Sequence, residues 1–146
     1  MKTRALWIAL VFAPVALASE NFETTIPIPT AGPVDLGWSA ANCMVRTVTL
    51  KNFPKPETIE KARKSDPKDT SPIWWQFRIE NRGKMIRVRF LVEVYGPNGE
   101  VVKSADKTET IDGGVLDVYV RVSTSMRTLD IADSPKVHLR AEMTPF

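Results

Sequence analysis

The sequence predicts an all-β chain, an antiparallel two-sheet β-sandwich of six or seven strands behind a cleaved leader. Three observations carry this. Long stretches alternate apolar and polar residues with period two, as in Ile73-Trp74-Trp75-Gln76-Phe77-Arg78-Ile79, the signature of a half-buried strand. Turn residues such as Gly96-Pro97-Asn98-Gly99 punctuate the alternation. No stretch has an apolar face wide enough for a long packed helix.

The 146 residues are one domain's worth of chain, and with 43% apolar and 25% charged residues they have an ordinary globular composition. The single Cys and single His exclude an intrachain disulfide framework and any metal centre that needs several thiolates or two imidazoles. No cofactor motif occurs: there is no Gly-rich phosphate loop, zinc spacing or calcium loop.

Met1-Lys2-Thr3-Arg4 precedes an apolar run from Ala5 to Ala18, followed by polar Ser19-Glu20-Asn21, the layout of a secretory signal peptide. Ala16 and Ala18 supply the small residues for cleavage after Ala18, so 1–18 is the expected leader and the location secreted or periplasmic. As an uncleaved anchor the run falls short: its 14 residues, interrupted by Pro14, compare with about 20 needed to span a bilayer. No transmembrane anchor is expected after cleavage, and no Cys follows the site to carry a lipid. Loss of Lys2 and Arg4 leaves 18 basic against 17 acidic side chains, a net charge near +1. That is too weak a field for a nucleic-acid partner.

Residues 19–41, with Ile26-Pro27-Ile28-Pro29 and Ala31-Gly32-Pro33, read as an extended N-terminal arm on a polyproline-like or edge-strand path, because alternating Pro cannot continue a helix. A disordered leader is the alternative, with Phe22, Ile26 and Ile28 available to pin the arm down. The domain proper, 42–146, starts with a strand over Asn42 to Leu50, where Val45, Thr47, Val48 and Thr49 cluster; Trp38 is a core anchor beside it. Residues 53–72 hold four Pro and nine charged side chains and read as a solvated excursion. One or two helical turns fit Glu57–Lys64, although Ile59 and Ala62 give little face to pack.

From Ile73 the alternation predicts a hairpin turning at Asn81-Arg82-Gly83-Lys84, in which Ile79 faces Ile86, Phe77 faces Val88 and Trp75 faces Phe90. The next hairpin turns at Gly96-Pro97-Asn98-Gly99, a type I turn followed by a left-handed Gly. It pairs Tyr95 with Val101, Val94 with Val102 and Glu93 with Lys103; a two-residue Asn98-Gly99 turn would set Val94 against Lys103 and is rejected. After a polar connection, Asp106 to Gly114, Leu116, Val118, Val120 and Val122 alternate with Asp117, Tyr119 and Arg121 until Ser123-Thr124-Ser125 breaks the strand. Leu129-Asp130-Ile131 reads as a short strand or turn. Val137, Leu139, Ala141 and Met143 face inward on the last strand.

Phe77-Arg78-Ile79-Glu80-Asn81, Tyr95-Gly96-Pro97-Asn98-Gly99-Glu100-Val101-Val102 and the Gly113–Val122 strand together resemble the FxLYD-type, immunoglobulin-like domains of bacterial envelope proteins. The likeness covers Trp75 to Val122. The family's Phe-x-Leu-Tyr-Asp stretch falls on Val92-Glu93-Val94-Tyr95-Gly96, where Tyr95 is the identical residue. What the resemblance implies is an extracytoplasmic immunoglobulin-like sandwich used for interaction or spacing, with no common catalytic site.

The residues give little chemistry of their own. A small hydrolase would need His138 as its base, but His138 falls on the outward parity of the last strand. Asp130, Asp133 and Ser134 are near in sequence, with no nucleophile elbow among them. Cys43 is either a small buried residue, a nucleophile activated by Arg46, or a partner for an intermolecular disulfide. Glu80, Glu93 and Glu142 sit on outward faces beside basic residues and suggest surface ion pairs.

The outward parity of the hairpins is more informative. In the expected register Trp74 lies across from Leu91 and Tyr95 from Val101, flanked by Arg87 and Arg89. Such an aromatic and Arg-rich patch is either a contact surface or is covered by the arm or the 53–72 excursion. The expected function is a non-catalytic interaction module of the cell envelope, binding an envelope protein or a second copy through this face or an edge strand. The alternative is a carbohydrate-binding module that stacks sugar rings on Trp74 and Tyr95.

Overall fold

The structure, a computed structural model, describes residues 18–146, so the expected leader lies outside the described residues except for Ala18. It is a sandwich of two antiparallel sheets with eight strands among the described residues. The strands are β1 (Glu20–Ile26), β2 (Val34–Ala40), β3 (Cys43–Lys51), β4 (Thr70–Asn81), β5 (Ile86–Tyr95), β6 (Val101–Ile111), β7 (Val118–Arg127) and β8 (Val137–Pro145). Two helices, α1 (Pro56–Lys64) and α2 (Thr128–Ala132), interrupt them. One sheet has the order β1-β8-β5-β6 and the other β2-β3-β4-β7; we call them the first and second sheets. Among the described residues, no helix is long and apolar enough to cross a membrane.

The core is what the period-two pattern requires. Trp75, Phe77 and Ile79 of β4 point from the second sheet onto Val88, Phe90 and Val92 of β5 in the first, with Val45, Val48, Leu139, Ala141 and Met143 completing the buried cluster. Burial of each large side chain contributes roughly 1.5–3 kcal/mol. Trp38 is buried in the same cluster, its ring stacked on Phe22 at 6.1 Å.

Strands β4 and β5 do not form the expected hairpin. Strand β4 pairs with β3 and β7, and β5 pairs with β6 and β8, so the 82–85 connection carries the chain from one sheet to the other. Period two determines which residues point inward, and a strand can satisfy it either beside its sequence neighbour or across the core from it. A buried corner built on Asn81 fixes the second solution. Its side-chain amide donates to the carbonyls of Lys84 (2.8 Å), Asp112 (3.0 Å) and Ile111 (3.3 Å), while its Oδ1 accepts from the Gly83 N–H (3.0 Å). The Asn81 N–H reaches Val115 O (2.7 Å) and the Arg82 N–H reaches Asn42 O (2.9 Å). A Cβ on Gly83 would lie 2.3 Å from Ala41 O, so the close approach of the Ala41-Asn42 turn requires glycine.

The β5–β6 hairpin keeps its expected loop. Gly99 N–H donates to Gly96 O (3.1 Å), Gly99 is left-handed at φ 82°, and Tyr95 pairs with Val101. A bulge then shifts the register, so that Val94 pairs with Lys103 and Glu93 with Ser104. The expected Val94–Val102 and Glu93–Lys103 pairs are not formed. Strand β6 also continues through the stretch expected as a polar connection, to Ile111. This is possible because β6 is an edge strand and can place Lys103, Lys107 and Glu109 on its inward parity.

In four other segments the structure refines two expectations and corrects two. Residues 19–41 contribute β1 to one sheet and β2 to the other, because extended chain between prolines needs only a sheet edge to pair with. The helical turns expected over Glu57–Lys64 form a nine-residue helix with Pro56 in its first turn, acidic Glu57 at its start and Lys61, Arg63 and Lys64 at its end, a distribution that complements the helix dipole. Buried Ala62 packs it, and Arg63 forks onto Asp133 beyond α2, Nη1 at 3.1 Å. Ser123-Thr124-Ser125 does not break β7, which runs to Arg127: Ser123 and Ser125 face water on its outer side, and half-buried Thr124 is β-branched and keeps the inward parity. Leu129-Asp130-Ile131 is helical, in α2, held at its start by buried Thr128, which donates to Asp69 Oδ2 (2.9 Å) and lies 2.7 Å from Ser71 Oγ.

Candidate interaction surface

Because β4 and β5 belong to different sheets, the residues expected to form one aromatic patch are divided. Trp74 is on the outer face of the second sheet, level with Lys51 of β3 and Ser123 of β7. Arg87, Arg89, Leu91 and Tyr95 are on the outer face of the first. Trp74 does not meet Leu91, and Trp74 and Tyr95 cannot form a single sugar-stacking platform. Tyr95 and Val101 are adjacent, as expected.

On the first sheet the expected residues sit in a lattice of charge. Arg89 pairs with Asp106 across β5–β6 (3.2 Å), Arg140 with Glu23 across β8–β1 (3.5 Å), Arg87 lies over the Phe146 ring (5.2 Å), and Lys136 over Tyr95 (5.3 Å). Leu91 lines a shallow depression of about 80 Å³ together with Arg89 and Arg140. These exposed pairs are each worth little, and they neutralise the face.

His138 is on this face too, 2.7 Å from Thr25 Oγ1 through Nδ1 and 3.4 Å from Glu23 through Nε2. Asp130, Asp133 and Ser134 do not reach it. Asp133 binds Arg63, Asp130 lies 3.7 Å from Arg127, and Ser134 Oγ donates towards Tyr95 O (2.6 Å) and Lys136 O (3.0 Å). Cys43 points into the core and is fully buried, and burial pushes its thiol up to about 11. Neither an Arg46-activated thiolate nor an intermolecular disulfide fits that position.

The outer face of the second sheet is different. Glu80 is only 6% exposed, with Arg46 and Arg82 closing on its carboxylate, the latter at 2.5 Å. It is a buried acceptor between two cations rather than a surface pair, and the Arg46 hydrogen bond is the main cause of its lowered pKa. Further along, Arg121 lies over the Trp74 ring at 5.3 Å, and Tyr119, beside Arg78, is 51% exposed. The indole Nε1 of Trp74 is buried and has no hydrogen-bond partner. Tyr119, Arg121, Ser123 and Ser125 are successive outward positions of β7, with Leu116 (54% exposed) just ahead of it.

Strand β7 is also an edge. Edges left open invite pairing, and proteins guard them with charges, bulges, prolines or brevity. Strand β1 is short and ends at Pro27; β2 is bulged between Asp35 and Trp38, with Gly37 at φ 64°. Strand β6 carries Lys103, Lys107 and Glu109 on its inward parity. Strand β7 carries charge only on its outward parity, at Arg121 and Arg127, and is neither short, bulged nor interrupted by proline: ten residues pair with β4 in unbroken register, and Val120, Val122 and Met126 hold its inner side. The sequence pattern already marked Tyr119 and Arg121 as outward, but reading Ser123-Thr124-Ser125 as a break concealed the length of the edge.

No protein-family model matches this chain, and no curated protein matches its sequence.

Proposed function

We propose that the protein is a secreted or periplasmic, non-catalytic interaction module of the cell envelope, which binds a protein partner along the β7 edge and the adjoining Trp74–Arg121–Tyr119 face. The ten-residue edge, free of bulge and proline, is the observation that carries this reading, because an added strand gains backbone hydrogen bonds there while outward aromatics supply contact area. The leader layout of 1–18 supports the compartment, and the low net charge of the remainder leaves contact to shape and edge pairing.

Two experiments test it. The N-terminus of the protein recovered from cells by fractionation should be Ser19, in the secreted or periplasmic fraction; an intact Met1 in the cytoplasm contradicts the compartment. A photo-crosslinking residue at Ser123 should give a discrete protein adduct in those cells, and one at Ser104 on β6 should not. Equal or absent adducts contradict the surface.

A further inference from the structure

We propose that the strand accepted by β7 belongs to an acidic partner, an extended segment of a different protein that sets an Asp or Glu opposite Arg121 on the outer face. This rests on the edge reading above and states the chemistry of its occupant.

The charges of the edge act against a second copy. Two copies of β7 related by a two-fold axis pair antiparallel, and for outward residues to oppose outward residues the axis must pass through a residue. An axis at Arg121 opposes Arg121 to itself, and one at Thr124 opposes Arg121 to Arg127. An axis at Val122 sets the two Arg121 side chains diagonal to each other, and axes at Ser123 or Ser125 set Arg121 diagonal to Arg127. Like charges directly opposite are destabilising, and diagonal neighbours remain within reach of side chains as long as Arg. No well-paired register of β7 with itself escapes this repulsion. The same arginines favour a strand of opposite charge, so one feature rejects the copy and selects the acid.

Arg121 is the cation left for that role. Arg78 is bonded to Asp117 (2.9 Å), Arg127 lies 3.7 Å from Asp130, and Arg46 and Arg82 share Glu80. Arg121 has no carboxylate partner among the described residues, and its guanidinium is held over the Trp74 ring, 5.3 Å from the centroid. The wider face has the same sign. Its outward positions carry Arg46, Lys51, Arg78, Arg121 and Arg127 against Asp35 and Glu80, whereas the ion pairs of the first sheet leave its outer face near balance. The low overall charge of the chain therefore conceals a cationic face adjoining the one long, regular edge. Backbone hydrogen bonds to β7 supply affinity, and the Arg121 pair decides which strand is accepted. Inward residues of that strand extend the row of Val120 and Val122, so they are apolar, and its acid lies between them on the opposite parity.

The test is photo-crosslinking from Ser123 in cells expressing the full-length gene, with the adduct mapped by mass spectrometry, and peptide binding by the purified protein. The expected adduct is a different protein, joined beside an Asp or Glu, and its yield should fall about threefold to tenfold in Arg121→Glu and hold in Arg121→Lys. A synthetic strand of alternating Thr and Val centred on Glu should bind more tightly than the same strand centred on Lys, and Arg121→Glu should reverse that order. An unchanged melting midpoint in Arg121→Glu separates charge from folding, and the peptide preference of the unsubstituted protein tests the proposal even if that variant does not fold. An adduct to a copy of this chain or to a segment without an acid, a yield unaltered by Arg121→Glu, or equal binding of the two peptides overturns the acidic strand and leaves the edge reading standing. No adduct at 123 overturns both.

Discussion

The rings of Phe77 and Phe90 stack 4.1 Å apart at 17°, one from each sheet, across the middle of the sandwich. Both are fully buried, so Phe90→Ala is expected to cost about 3–5 kcal/mol. A double-mutant cycle with Phe77→Ala should reveal a coupling of about 0.5–1.5 kcal/mol, read from urea unfolding. Zero coupling contradicts the cross-core stack.

The Asn81 corner should be as sensitive as the core. Asn81→Ala leaves the buried carbonyl of Ile111 and the part-buried carbonyls of Asp112 and Lys84 without their donor, and a loss of about 1–3 kcal/mol is expected. Gly83→Ala should destabilise as well, since its Cβ would meet backbone at Ala41 that cannot rotate away. Unchanged denaturation midpoints for both would contradict the crossover geometry.

Glu80 gives the fold an acid dependence. Its pKa is lowered in the folded chain, by Arg46 first and Arg82 second. Its contribution is therefore fully present above the unfolded carboxyl value, near 4.3, and is lost as pH falls through the lower folded value. Thermal melts of the wild type should drop in midpoint below about pH 4, and Glu80→Gln should be less stable at pH 7 but show a shallower acid limb. An identical acid limb would show that the carboxylate is not held as described.

Cys43, with a buried thiol pushed up to about 11, should resist thiol reagents in the native protein at pH 8 and react fully in denaturant. Rapid native labelling would contradict its burial.

Much of this architecture is legible in the sequence. The inward sets of β4, β5 and β8 follow from alternation alone, because a wrong parity would turn Trp75, Phe77, Phe90 and Leu139 to water. Partner choice was not legible. Alternation at 73–79 and 86–94 is satisfied equally by a hairpin and by a crossing, and the deciding contacts of Asn81 come from residues some thirty positions away, at Ile111 and Asp112. The error propagated to the surface: Trp74 and Leu91 share an outward parity but stand on opposite faces. The β7 edge was half legible, since Tyr119 and Arg121 showed their facing, while hydroxyl residues that an edge strand tolerates resemble turn residues in composition.

The most direct test of the edge reading is residue-resolved amide hydrogen exchange along β7 in the dilute protein. Amides of 118–127 that point away from β4 should exchange rapidly while those bonded to β4 stay protected. Protection of every β7 amide in the dilute protein would contradict the account.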